Sequence, residues 1–285
     1  MTESTTCSNA ISTVTVEGAT LAVRLDGPAA APILLLSNSL SSDMTMWDDQ
    51  VPRWAQHFRI VRYDQRGHGC SGASPGPYTL ERLGRDAVAV LDFLGVARAH
   101  FCGLSMGGMV GMWLLTHTRE RIERAVLANT SAHMGPPALW NERIALARAG
   151  GMEATVEPTV TRWFPAAFHA RAPATIERMR NMIRRTSLEG YVGCCKAIRD
   201  MDQRESIRAI RSPTLVIIGA NDPATTPAAG RAIHAAIPGA AMIVLNAGHI
   251  SNVEQPAAFT DAVQEFLTAR QALLRSARRR SSGPA

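Results

Sequence analysis

The chain has 285 residues, of which 46% are hydrophobic, and a formal net charge of +6. That length allows one large or two smaller domains, and the apolar share suffices for a sizeable core. Arg270, Arg275, Arg278, Arg279 and Arg280 fall in the last sixteen residues, which hold no acid. The body is therefore near neutral, and the basic balance does not mark a nucleic-acid-binding surface.

Five cysteines, Cys7, Cys70, Cys102, Cys194 and Cys195, are odd in number and form no C-x-x-C pair. They predict reduced thiols in a cytoplasmic protein, with no disulfide framework and no metal site. Residues 1–12 have neither the basic nor the apolar segment of a signal peptide, and no run approaches eighteen apolar residues. No membrane span is expected.

In chain order, residues 13–16 and 21–25 predict two strands of an edge hairpin, turning at Glu17-Gly18. The short apolar run 33–36 suits a strand covered on both faces, as in a parallel sheet. A polar turn from Ser37 to Asp43 leads to a helix over about 47–56 and a strand over 58–63. Thr79 caps a helix over 79–94. A strand ending near Cys102, a helix over 109–115 and a strand over 124–128 follow. Residues 131–207 then hold three or four amphipathic helical patterns and no strand; Ile176, Met179 and Ile183 share one helix face. The alternation resumes with a strand at 214–218, a helix at 227–237, a strand at 241–245 and a helix at 255–274. Such alternation predicts an α/β fold, a mostly parallel eight-stranded sheet with helices on both faces. The core would comprise residues 12–130 and 208–274, with 131–207 as a helical lid and 275–285 as a basic, flexible tail.

The chemistry centres on Gly103-Leu104-Ser105-Met106-Gly107, a Gly-x-Ser-x-Gly between a strand and an apolar helix. That pattern marks a sharp turn that projects a serine hydroxyl, and the glycines leave room where strand and helix converge. A serine needs a base, and the base needs an orienting acid. Asp222, in Gly219-Ala220-Asn221-Asp222-Pro223, and His249, in Ala247-Gly248-His249, each follow a late strand. Ligands in such sheets bind outside the carboxyl ends of the strands. Ser105 is then the nucleophile, His249 the general base and Asp222 its orienter. The chain order Ser, Asp, His distinguishes this arrangement from other serine hydrolase folds. The oxyanion donors are assigned to the backbone N–H groups of Met106 and of Leu40, the latter in Asn38-Ser39-Leu40-Ser41. Gly67-His68-Gly69-Cys70-Ser71-Gly72 matches G-x-G-x-x-G, but no helix opens at its glycines, so nucleotide binding is rejected. Asp64, Arg66 and His68 are read as a structural turn, with a role at the rim of the site as the alternative, and no cofactor is expected.

These residues resemble the alpha/beta-hydrolase superfamily over about 12–270. The resemblance rests on Arg62-Tyr63-Asp64-Gln65-Arg66-Gly67-His68-Gly69, Gly103-Leu104-Ser105-Met106-Gly107-Gly108, Asn221-Asp222-Pro223 and Gly248-His249 with Glu254 and Pro256. One departure is Asn38-Ser39, where many members carry His-Gly. Within the superfamily the chain is similar to 3-oxoadipate enol-lactonases in Ser37-Asn38-Ser39-Leu40, Met46-Trp47, Phe101-Cys102 before the serine motif, Arg162-Trp163-Phe164 and Ser251-Asn252. That resemblance implies hydrolysis of a small anionic lactone, the enol-lactone, to 3-oxoadipate in aromatic catabolism. The substrate carboxylate then calls for a cation in the lid. Arg143 near Trp140, and Arg162 beside Trp163, are the candidates. A carboxylesterase or a carbon–carbon bond hydrolase on the same triad, and a hydrolase-like binding protein, remain alternatives. The oligomeric state is left open, a homo-oligomer included.

Overall fold

A computed structural model describes residues 11–281, with side chains described for 11–269. Eight strands form one sheet: β1 (Ile11–Val16), β2 (Ala19–Asp26), β3 (Ile33–Ser37), β4 (Arg59–Tyr63), β5 (Ala99–Leu104), β6 (Ile122–Ala128), β7 (Thr214–Gly219) and β8 (Ala241–Leu245). Their spatial order is β1-β2-β4-β3-β5-β6-β7-β8. The edge hairpin is antiparallel, β2 meets β4 antiparallel, and every pairing from β4 to β8 is parallel. β5 and β7 are buried at every residue. Both of their faces are therefore covered, which is why β7 reads as an apolar run from Leu215 to Ile218.

Two helices differ from the sequence expectation. In place of one helix over 47–56, a single 3₁₀ turn at Met44–Trp47 precedes the short α1 (Val51–Trp54). Asp43 caps the 3₁₀ turn by accepting from the Thr45 N–H, so helical structure starts earlier. Pro52, which has no N–H to donate, suits only the first turn of the second element. After α2 (Leu80–Phe93) and α3 (Met106–His117), five helices stand between β6 and β7: α4 (Pro137–Gly150), α5 (Glu153–Trp163), α6 (Ala166–Arg171), α7 (Pro173–Arg184) and α8 (Leu188–Asp200). The ends of this insert meet, since Gln203 N–H donates to the Ala132 carbonyl at 2.8 Å. The chain continues through α9 (Pro227–Ala236), α10 (Ser251–Glu254) and α11 (Pro256–Ser281). The last helix runs past residue 274, into the stretch expected to be a flexible tail; residues 282–285 lie outside the described residues. Phe259 anchors α11 on Trp47 and Trp54, with ring centroids 6.1 and 6.3 Å away.

Cys102, Cys194 and Cys195 are free and buried. Cys70 is disulfide-bonded, so the expectation of five reduced thiols fails at that residue; Cys7 lies outside the described residues. Among the described residues no helix is long and apolar enough to cross a membrane.

The rejected glycine motif is a structural turn. Asp64 accepts the N–H groups of Met44 and Cys70 at 2.6 and 2.8 Å. Arg66 grips Asp86 through Nε and Nη2, both at 2.6 Å. A Cβ at Gly67 would overlap Gly190 of α8, and the Ser187 N–H donates to the Gly67 carbonyl at 2.9 Å. The turn therefore seats the start of α8.

Candidate active site

Ser105 sits between β5 and α3 with φ 58° and ψ −117°, a left-handed conformation uncommon for serine. The chain can make this turn because glycines flank it. A Cβ at Gly103 would strike the Gly107 carbonyl, and one at Gly107 would strike that of Ser37. The backbone is held on the far side by the Ser105 N–H, which donates to the Ala128 carbonyl at 2.9 Å.

The three strand-end residues meet. Ser105 Oγ lies 2.8 Å from His249 Nε2, and His249 Nδ1 lies 2.9 Å from Asp222 Oδ2. All three are buried. Asp222 is surrounded by donors: Oδ1 accepts the Ala224 and Thr225 N–H groups, while Oδ2 accepts Thr225 Oγ1 at 2.7 Å and Asn129 Nδ2 at 3.1 Å. Burial alone would raise the Asp222 pKa, but the charge of His249 and the hydrogen bonds from His249 and Thr225 outweigh it and pull it down to about 2. The acid is a fixed carboxylate, and the Nδ1 proton is committed to it. The geometry matches a nucleophile, base and orienter in series.

A second set of residues holds the His249 loop: the sequence reading named Ser251, Glu254 and Trp163 without this role and did not single out Asn129. Asn129, at the end of β6, donates to Gly248 O as well as to Asp222 and accepts from Ser251 Oγ at 2.6 Å. Glu254 accepts the Gly248 N–H at 2.7 Å. The His249 N–H donates to the Trp163 carbonyl at 2.9 Å, so the last residue of α5 holds the base. Only the position of Asn129 directly after a strand could have pointed to it. Trp163 acts through its backbone carbonyl, which no side-chain pattern reveals.

Leu40 lines the same cavity as Ser105, and Met106 follows Ser105 directly in the chain. Met106 is the first residue of α3, so its N–H has no carbonyl within the helix. The Leu40 N–H finds no backbone acceptor among the described residues. Asn38, the departure from His-Gly, anchors this loop: Nδ2 donates to the Tyr63 carbonyl at 2.9 Å, and Oδ1 accepts Trp47 Nε1 at 2.8 Å.

Ser105 and His249 open on a small cavity between the strand ends and the helical insert. Leu40, Trp140, Arg143, Arg162 and Trp163 all line it. The Arg143 guanidinium lies 4.5 Å from the Trp140 ring centroid. Arg162 donates to Thr159 Oγ1 at 3.2 Å. Burial, and after it the charge of Arg143, push the Arg162 pKa down to about 10, and no carboxylate counters them. The cavity lining thus holds two arginines and no acid. Among the described residues no group of His, Cys, Asp or Glu is placed to hold a metal ion.

Comparison with known proteins agrees with this architecture. A family model described as the alpha/beta hydrolase fold matches residues 32–256. The 3-oxoadipate enol-lactonase 2 of Acinetobacter baylyi is 40% identical over 255 residues, 90% of this chain and 96% of that protein. The solved structure of a hydrolase from Pseudomonas aeruginosa superposes with a TM-score of 0.89 at 50% identity, covering 92% of this chain and 99% of that one. The enol-lactonase from Burkholderia xenovorans also gives 0.89, at 45% identity, covering 90% of this chain and all of that one (100%). By sequence, sheet order and the elbow at Ser105, this chain belongs to the alpha/beta hydrolase fold family.

Proposed function

We propose that the protein hydrolyses 3-oxoadipate enol-lactone to 3-oxoadipate, in the catabolism of aromatic compounds in the cytoplasm. The carrying observation is that the serine–imidazole–carboxylate series opens on a cavity whose insert side bears two acid-free guanidiniums, Arg143 and Arg162. That arrangement suits an ester that also carries a carboxylate. The similarity to proteins named as enol-lactonases supports the same substrate. Residues 131–207 then act as a lid that supplies the anion site, with Trp140 and Trp163 as its apolar walls.

The steps follow from the atoms present. Ser105 Oγ attacks the ring carbonyl while His249 Nε2 takes its proton, and Asp222 stabilises the imidazolium. The oxyanion is held by the N–H groups of Leu40 and Met106. The ring C–O bond then breaks, and the enolate oxygen leaves. It takes the proton from His249, and the enol becomes the ketone. Water, deprotonated by His249, attacks the acyl-enzyme; as the second tetrahedral intermediate collapses, His249 returns that proton to Ser105 Oγ and the new carboxylate is freed. Turnover of the enol-lactone by wild type and by Ser105→Ala tests this reading. The expected result is loss on the order of a million-fold in kcat for the variant. Retained activity, or a wild type that cleaves aryl esters far faster than the lactone, overturns it.

A further inference from the structure

The loop from Ser39 to Asp43 carries several short polar side chains, and two have plain structural roles. Ser42 Oγ donates to the Ser39 carbonyl at 2.8 Å. Asp43 caps the 3₁₀ turn and pairs with Arg185 of the insert at 3.3 Å. Ser41 between them is different. Its residue is 1% exposed, yet its hydroxyl has no hydrogen-bond partner among the described residues. Buried hydroxyls are ordinarily paired, because an unmade bond in a dry site is costly. Its backbone is also strained, with φ 65°, a conformation that glycine adopts freely and serine does not. Ser41 thus meets two costs that glycine would avoid.

Its position accounts for both. Ser41 lines the same cavity as Ser105 and His249 and follows directly on Leu40. Strained residues with unspent polar atoms cluster where a ligand completes the bonding. We propose that the Ser41 hydroxyl is a substrate ligand: it donates to an oxygen of the scissile ester group, beside the N–H groups of Leu40 and Met106. The proton stays on Ser41, and no covalent step is involved. The donated bond strengthens as that oxygen takes on charge, so it acts more on kcat than on KM. This inference rests on the hydrolase reading of Ser105 and applies to any ester or lactone, because each presents that oxygen.

Ser41→Ala and Ser41→Gly test it, assayed on 3-oxoadipate enol-lactone and on p-nitrophenyl acetate, with thermal melting of each variant. Both variants are expected to lose about tenfold or more in kcat/KM on each substrate that wild type turns over, mainly in kcat. Ser41→Gly is expected to melt at or above the wild-type temperature, because glycine relieves the φ strain. Wild-type kcat/KM in both variants overturns the proposal. So does a Ser41→Gly protein whose melting temperature and activity fall together, since the hydroxyl would then be structural. A wild type active on the aryl ester but not on the lactone overturns the enol-lactonase reading instead, and the Ser41 comparison is still decided on the ester.

Discussion

Asp222 shows how much of a site can rest on one side chain. Four donors besides His249 converge on its carboxylate, and its pKa of about 2 keeps it charged at neutral and mildly acidic pH. A depressed carboxyl pKa contributes stability above its ordinary value, and that contribution is lost only as pH falls towards 2. Acid inactivation at moderate pH therefore does not begin at Asp222. Asp222→Asn leaves the volume unchanged but offers an amide where His249 Nδ1–H needs an acceptor, which favours the wrong tautomer. The expected cost is about ten-thousand-fold in kcat, read from steady-state turnover with folding checked by circular dichroism. Ser105, Asp222 and His249 were legible in sequence because each stands in a short motif directly after a strand. Asn129 and Thr225 were not, since nothing local says that their side chains turn towards a carboxylate supplied by another strand. Ser41 was passed over as loop filler for the same reason: a positive φ on a serine leaves no mark in the sequence.

At the scale of elements, the strands were the easiest to read. Continuous apolar runs identify β3 and β7 because a sheet covered on both sides leaves no polar alternation. The helix after Ser37 was misread because its capping acid, Asp43, lies in a stretch of small polar residues that resembles a plain turn. The insert was legible as helical but not in its count of helices. α5 contributes Arg162 to the cavity, and this gives a prediction that separates binding from chemistry. Arg162→Ala is expected to raise KM for the anionic lactone by about tenfold or more while leaving kcat/KM on a neutral aryl ester near wild type. Equal losses on both substrates would assign Arg162 to packing and not to the anion.

For the molecule as a whole, a buried carboxyl, Asp64, lies in the turn that seats α8. Burial, followed by the nearby Asp43, raises the Asp64 pKa to about 7, although the Cys70 and Met44 N–H groups and Arg62 oppose the shift. A raised carboxyl pKa works in the opposite sense to that of Asp222. The protonated form is favoured by folding, so its contribution is full below the ordinary carboxyl range and is lost as pH rises towards 7. Wild type should therefore lose stability from this group between about pH 4 and pH 7. Asp64→Asn, which has no proton to release, should lack that component; urea midpoints at a series of pH values compare the two. Identical pH profiles would show that Asp64 is ionised throughout. Sequence placed Asp64 in a turn but could not show it buried, since its burial depends on Gly69 and on the neighbouring loop from Asp43 to Met44.

The Trp163 carbonyl that receives the His249 N–H bears on how such proteins diversify. The helical insert is the natural place to alter substrate choice, because it carries the cations and aromatic walls and leaves the sheet untouched. Here one residue of that insert also fixes the backbone of the base. An exchanged insert must therefore bring a carbonyl to the same point, or the new pocket comes with a loosened imidazole. In this chain the cavity lining and the backbone contact to His249 overlap at Arg162-Trp163. New specificities reached by remodelling α5 would then come first as slow enzymes, with compensating changes expected around Gly248, Glu254 and Asn129, the other holders of that loop.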